Sequence, residues 1–190
     1  MPTPERIRAF VMAAHGDLNE VQALLRETPE LLNLAAEWRP GDLETAIQAA
    51  AHTGQRAIAE YLLAQGAPLE ITTAAMLGDL ARVRGMLQQN PALAQYKGAH
   101  GIPLLPHAAL SGLPKMLELV WGQGARAGVQ QALSLAVRRG HTEVVRWLLE
   151  HAHPDLNKPD FQGKTPLQVA EEAGFGEIIA LLGGQGGQPA

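Results

Sequence analysis

The chain contains no cysteine. That excludes a disulfide scaffold, a thiolate zinc site and a cysteine nucleophile. Aromatic residues are scarce, with three Trp, two Tyr and three Phe. A core built with so few rings must be mostly Ala, Leu, Val and Ile, which favours close-packed helices over a sheet sandwich. No run alternates β-branched and aromatic residues with polar ones, so strong strand signals are missing. No apolar stretch approaches the ~20 residues of a membrane span. The opening "MPTPERIRAFVMAAHGD" lacks the apolar core and cleavage site of a secretory signal. Serine occurs only at Ser111 and Ser134. There is no G-x-S-x-G motif and no phosphate-binding loop. The late "GGQGG" neither follows a strand nor opens a helix, so it is not a nucleotide site. A cytoplasmic, non-enzymatic protein without cofactors is the expectation.

What is present is a hydrophobic content of 46% in 190 residues, enough for a substantial core. Net charge is −4, unevenly spread. Between Leu80 and Gly140 the single acid is Glu118, against Arg82, Arg84, Lys97, Lys115, Arg126, Arg138 and Arg139. A basic middle between acidic ends can steer an acidic partner. Nucleic acid is not expected, because no reading motif accompanies the charge.

The chain repeats itself. A small residue followed four positions later by glycine recurs at Ala50/Gly54, Ala74/Gly78, Ala108/Gly112, Ala136/Gly140 and Ala170/Gly174, with a weaker copy at Met12/Gly16. Each glycine precedes an amphipathic stretch, as in "GHTEVVRWLL", where Val144, Val145, Leu148 and Leu149 form one apolar stripe. Small residues allow close helix approach, and glycine allows the tight turn between two helices. Thr45 with Gln48, and Thr165 with Gln168, fit capping boxes. Pro4 and Pro166 fit first helical positions, and Asp17 and Asp79 fit N-caps.

"DFQGKTPLQVAEEAGFGEIIALL" and "AVRRGHTEVVRWLLEHAHPDLN" resemble ankyrin repeats. Gly163, Thr165, Pro166, Leu167 and Ala170 carry the resemblance in the last unit. Gly140, His141, Val144, Val145, Leu148, Leu149 and Asn157 carry it in the fifth. It extends over about six units of a bacterial type and implies an all-α solenoid of stacked helix-turn-helix units. Residues 1–182 are expected to form one domain, with 183–190 a flexible Gly-rich tail.

The unit glycines depart from the family period of about 33 residues. Long and short spacings alternate along Gly16, Gly54, Gly78, Gly112, Gly140 and Gly174. "AAHGDLNEVQALLRETPELLNL" matches "AMLGDLARVRGMLQQNPALAQY" as a double unit. This alternation predicts about three β-hairpin fingers, near residues 33–44, 91–104 and 154–164. Tight turns are expected between units 2 and 3 and between units 4 and 5.

The resemblance implies binding through finger tips and the inner helix face, on a partner protein. By position, His52, Met76, Leu77, Leu110, Arg138 and Arg139 lie on that face, and the three apolar residues would form a central exposed patch. The fingers add Trp38 with Arg39, Tyr96 with Lys97, and Phe161 with Lys164. Trp, Tyr and Arg are the residue types enriched in binding hot spots. The expected partner presents an acidic, partly apolar segment to a monomeric scaffold or regulator. Two alternatives stay open: a metal-binding or enzyme-associated domain using the histidines, and an antitoxin-like inhibitor of one enzyme. His141 is assigned to its turn, and His107 to a finger backbone. His151 and His153 form "HAH" without an adjacent third ligand, so no metal site is assigned. His15, His52 and His100 are placed to reach the concave side.

Overall fold

The computed structural model describes residues 2–185. Twelve α-helices are found among the described residues, and they form six antiparallel pairs. The pairs are α1 (Pro4–Ala13) with α2 (Leu18–Glu27), α3 (Ala46–Thr53) with α4 (Arg56–Ala64), and α5 (Ile71–Met76) with α6 (Leu80–Gln89). They continue with α7 (Leu104–Leu110) and α8 (Pro114–Gly122), α9 (Val129–Arg138) and α10 (Thr142–His151), and α11 (Pro166–Ala173) and α12 (Gly176–Gln185). The odd-numbered helices make an inner layer in which α3, α5, α7, α9 and α11 touch in sequence. The even-numbered helices pack outside them.

All but one of the start signals act as read: at Thr45 the N–H donates to Gln48 Oε1 at 3.0 Å, but the Thr45 hydroxyl has no partner among the described residues. Thr3 accepts from Arg6 N–H with Pro4 at the first helical position. Asp17 and Asp79 accept from Glu20 N–H and Arg82 N–H, each at 3.0 Å. Thr165 and Gln168 exchange both bonds of a capping box. Each cap satisfies helix N–H groups that have no partner inside the helix.

The alternation of connectors is present. Residues 65–70 and 123–128 are short links, whereas 28–45, 90–103 and 152–165 are long. Only the first long connector is a regular hairpin among the described residues: β1 (Ala35–Arg39) pairs antiparallel with β2 (Asp42–Thr45). The expectation of three hairpins is therefore corrected to one. In the second connector Pro91 opens a 3-10 turn and Lys97 and Pro103 form a single bridge. In the third, Asp160 and Lys164 share a backbone bond but no strand forms. Proline at 103, 154 and 159 lacks the N–H that a ladder requires. Helix α12 runs to Gln185, so the first residues of the expected tail are helical. Residues 186–190 of that tail lie outside the described residues.

Two apolar clusters fill the stack. One joins α1 to α4 and the first hairpin, and includes Met76 and Leu110. The other runs from Ile71 to Leu182. Helix α5 is short, and all six of its residues are buried. Across it, α3 and α7 come into direct contact. Arg139, at the end of α9, donates to the carbonyl of Thr53 at the end of α3. The inner layer thus folds in on itself around α5.

Candidate functional site

That inward fold removes the expected apolar patch. Met76 is 1% exposed and Leu110 8%. Leu77 is half-buried against the same cluster. These side chains seal the contact between α3, α5 and α7 instead of facing a partner. The resemblance implied an exposed helix face for them; instead α5 is short and wholly buried, and α3 and α7 touch across it. Arg139 is likewise committed to Thr53, although its side chain remains exposed. Arg126 of the basic middle lies over the Trp121 ring, 3.8 Å from its centroid.

The three fingers have different surroundings. At the first, Trp38 is half-buried, and its Nε1–H donates to Glu44 Oε2 at 2.7 Å. Glu44 lies on β2 and is wholly excluded from solvent, while its neighbour Leu43 is 56% exposed. An apolar side chain outside and a carboxylate inside reverses the usual order, so the carboxylate must be compensated. Three imidazoles surround it. His52 Nε2 stands 2.7 Å from Glu44 Oε1, His100 Nε2 3.3 Å from the same oxygen, and His15 Nε2 3.7 Å from Oε2. Burial raises the Glu44 pKa, but the hydrogen bond and charge of His52, then Trp38 and His15, outweigh it and hold the group below its ordinary value. The rings stack edge to face, with centroids 5.2 Å apart for His15 and His52, and 5.3 Å for His52 and His100. His15, Glu44 and His52 each offer a ligand atom, all within 4.8 Å of one another. Arg39 is exposed at the tip of this hairpin.

The middle finger is tied down. Tyr96 is half-buried, and its hydroxyl donates to Glu70 Oε2 at 3.1 Å. Glu70 also accepts from Gln48 of α3 at 2.9 Å. Burial first, then the Glu70 charge, raises the Tyr96 pKa. Lys97 beside it is exposed.

The last finger is different. Phe161 is 79% exposed, and the Arg138 guanidinium lies 4.8 Å from its ring centroid. Arg138 is fixed by an ion pair with Asp160. Asp160 also accepts from Gln162 N–H at 2.8 Å and Lys164 N–H at 3.2 Å. Burial raises its pKa, and the Arg138 bond and these backbone donors more than reverse that. Lys164 is half-buried and pairs with Glu172. Phe161 stands at the edge of a cleft of about 280 Å³ whose walls include Val137, Ser134, Pro159, Pro166 and Val169. Among the described residues Ser134 Oγ finds no hydrogen-bond partner.

The other histidines behave as expected from their places. His107 is buried, and its Nδ1 bonds the Pro103 carbonyl at 2.9 Å. His141 sits against the Gly112 turn, and burial lowers its pKa. Glu44 was not anticipated, because "DLET" reads as the polar end of a hairpin. One signal was available: His15 and His52 occupy nearly the same repeat position, just before successive unit glycines, so an acid in the intervening hairpin can face both.

Family models support the architecture. Residues 42–85 match the model described as "Ankyrin repeat", and residues 105–189 match "Ankyrin repeats (3 copies)". The chain belongs to the ankyrin-repeat family, whose arrays are in general protein–protein interaction modules and typically non-enzymatic. A curated relative is named "Probable E3 ubiquitin-protein ligase XBOS33", from Oryza sativa subsp. japonica. It is 34% identical over 119 residues, covering 59% of this chain and 23% of that protein. The chain therefore spans under a quarter of the relative's length. No helix among the described residues is long and apolar enough to cross a membrane.

Proposed function

We propose that this chain is a cytoplasmic, monomeric interaction module that holds an acidic, partly apolar segment of another protein along its row of fingers. The observation that carries the reading is Phe161, a large ring left 79% exposed under Arg138 and beside an apolar cleft. An exposed aromatic next to a small apolar depression is the arrangement of a binding anchor. Arg39, Lys97 and Lys158 are exposed, and among the described residues they form no ion pair. Those cations favour an acidic segment and raise its encounter rate. Trp38, Tyr96 and His52 serve as supports for the fingers more than as contacts, since each is tied to a carboxylate.

No catalysis is part of this proposal, and the ligase activity named for the relative is not carried over. Ser111 Oγ donates to the Ala108 carbonyl, which leaves it no role as a nucleophile. An inhibitor of a single enzyme would use the same surface and would differ only in the partner's identity. Selection from a displayed peptide library tests the reading. Enriched peptides should combine Asp or Glu with one large apolar residue, and Phe161→Ala should abolish their retention. Enrichment of basic peptides, or retention unchanged by Phe161→Ala, would overturn it.

A further inference from the structure

We infer that His15, His52, His100 and Glu44 form a binding site for one divalent transition-metal ion of the zinc class, at the base of the first finger. The inference stands apart from the partner-binding reading and departs from the expectation of no metal.

The first argument is convergence. Ligand atoms of His15, His52 and Glu44 lie within 4.8 Å of one another, and His100 Nε2 approaches the same Glu44 oxygen as His52, so four separate parts of the chain surround one carboxylate. His15 comes from the turn after α1, His52 from the last turn of α3, His100 from the second connector and Glu44 from β2. In a tetrahedral zinc site, bonds of ~2.0 Å set the donor atoms roughly 3.3 Å apart. From Glu44 Oε1 the separations are 2.7 Å to His52 and 3.3 Å to His100, and from Oε2 3.7 Å to His15, all within half an ångström or so of that value.

The second argument is the proton inventory. His15 Nδ1 lies 3.0 Å from the Val11 carbonyl, which can only accept. His100 Nδ1 lies 3.0 and 3.1 Å from the two oxygens of Asp42, which as a carboxylate also only accepts. Each neutral ring must therefore carry its proton on Nδ1 and turn an Nε2 lone pair toward Glu44. Two lone pairs facing a buried carboxylate are unfavourable, and either protonation of the rings or a cation bound between them and Glu44 removes the repulsion. His52 lends one proton to Glu44 at 2.7 Å. When the ion binds, that proton moves to His52 Nδ1, and a third lone pair becomes available with no change in net protonation.

The third argument is support around the site. Carbonyl and carboxylate partners on the distal ring nitrogens, as Val11 and Asp42 provide, are the usual means of fixing metal-ligating histidines. Trp38 fixes the Glu44 carboxylate from its other side. His100 is held at φ 56°, in the left-handed region that a non-glycine residue seldom adopts. Its placement near Glu44 thus overrides a local backbone preference. An open cleft lined by Arg39, Gly41, Asp42 and His100 reaches the His100 side of the cluster from solvent. Three nitrogen donors and one oxygen donor suit zinc, cobalt or nickel better than calcium or magnesium, which prefer all-oxygen sets.

The test uses the full chain freed of metal by chelation. Titration with Co2+ should give the intense visible absorption of a tetrahedral ion, saturating at one ion per chain. Zn2+ should displace it and raise the melting temperature, as a ligand of the native state does. His15→Ala and His52→Ala should each weaken binding at least about tenfold, and Asp42→Asn by about 10–100-fold through loss of ring support. The double variant His151→Ala/His153→Ala should bind as the parent does. His15 and His100 are partly exposed, so His15→Ala and His100→Ala test the site even where Glu44→Gln fails to fold. A spectrum that remains that of free aqueous Co2+ would overturn the inference. So would binding that survives His15→Ala and His52→Ala but is lost in His151→Ala/His153→Ala.

Discussion

Trp38 donates its indole N–H to Glu44 at 2.7 Å across the first hairpin, and so closes the finger over a carboxylate with no solvent contact. The bond has a structural consequence that can be measured. Trp38→Phe keeps most of the ring and deletes the donor, leaving a buried anion short of one partner. The expected cost is about 1–3 kcal/mol, the penalty for an unsatisfied buried group. Urea unfolding should show a lower midpoint with an unchanged slope.

The closure of the inner layer around α5 gives a second prediction. Met76 fills space between α3, α5 and α7, so Met76→Ala should cost about 2–5 kcal/mol, as for other large-to-small core changes. An exposed patch residue would instead change stability by less than about 0.5 kcal/mol. Arg139→Ala removes only the cross-layer bond to Thr53 and should cost about 1 kcal/mol. Chemical denaturation of the two variants separates the interior reading from the surface one.

His107 makes the fold acid-sensitive. Burial lowers its pKa from 6.5 to about 4, against the opposing bond to Pro103. The unfolded chain takes up this proton near pH 6.5, whereas the folded chain does so only near pH 4. Stability therefore falls as pH drops through that window and is unaffected by this group above it. The full effect is roughly 3 kcal/mol. Unfolding free energies measured from pH 7.5 to pH 4 should decline less steeply in His107→Gln than in the parent, whatever the variant's absolute stability.

Gly128 opens α9 at φ +83°, and a Cβ there would lie 2.8 Å from Pro106 Cγ. Left-handed backbone costs a non-glycine residue about 1–2 kcal/mol before any clash. Gly128→Ala should exceed that figure, because a proline ring within α7 has little room to yield. A melting temperature equal to the parent's would contradict the packing described at this turn.

Much of this architecture was legible because it depends on local chemistry. Helix pairs follow from the glycine punctuation, and the caps at Thr3, Asp17, Asp79 and Thr165 act within three residues of themselves. The alternation of long and short connectors follows from spacing alone. What was not legible depends on contacts between distant segments. Nothing near Met76 or Leu110 shows that α3 and α7 touch across a six-residue helix. The hairpin count failed because finger length was read without its prolines. Glu44 was missed because its burial is set by Trp38, His15, His52 and His100, which lie up to 56 residues away along the chain. The histidines were placed on the concave side one by one; their shared carboxylate is a property of the fold.

The account's central claim is that the finger row, with Phe161 as anchor, binds an acidic and partly apolar partner. The most direct measurement is affinity capture from the source cell's lysate with quantitative mass spectrometry. It would compare the parent chain, Phe161→Ala combined with Lys97→Glu, and an outer-face control, Arg146→Glu. The account predicts that a partner with an acidic segment is retained by the parent and by Arg146→Glu, and is lost from the finger variant. Equal retention by all three chains, or loss in Arg146→Glu alone, would contradict it.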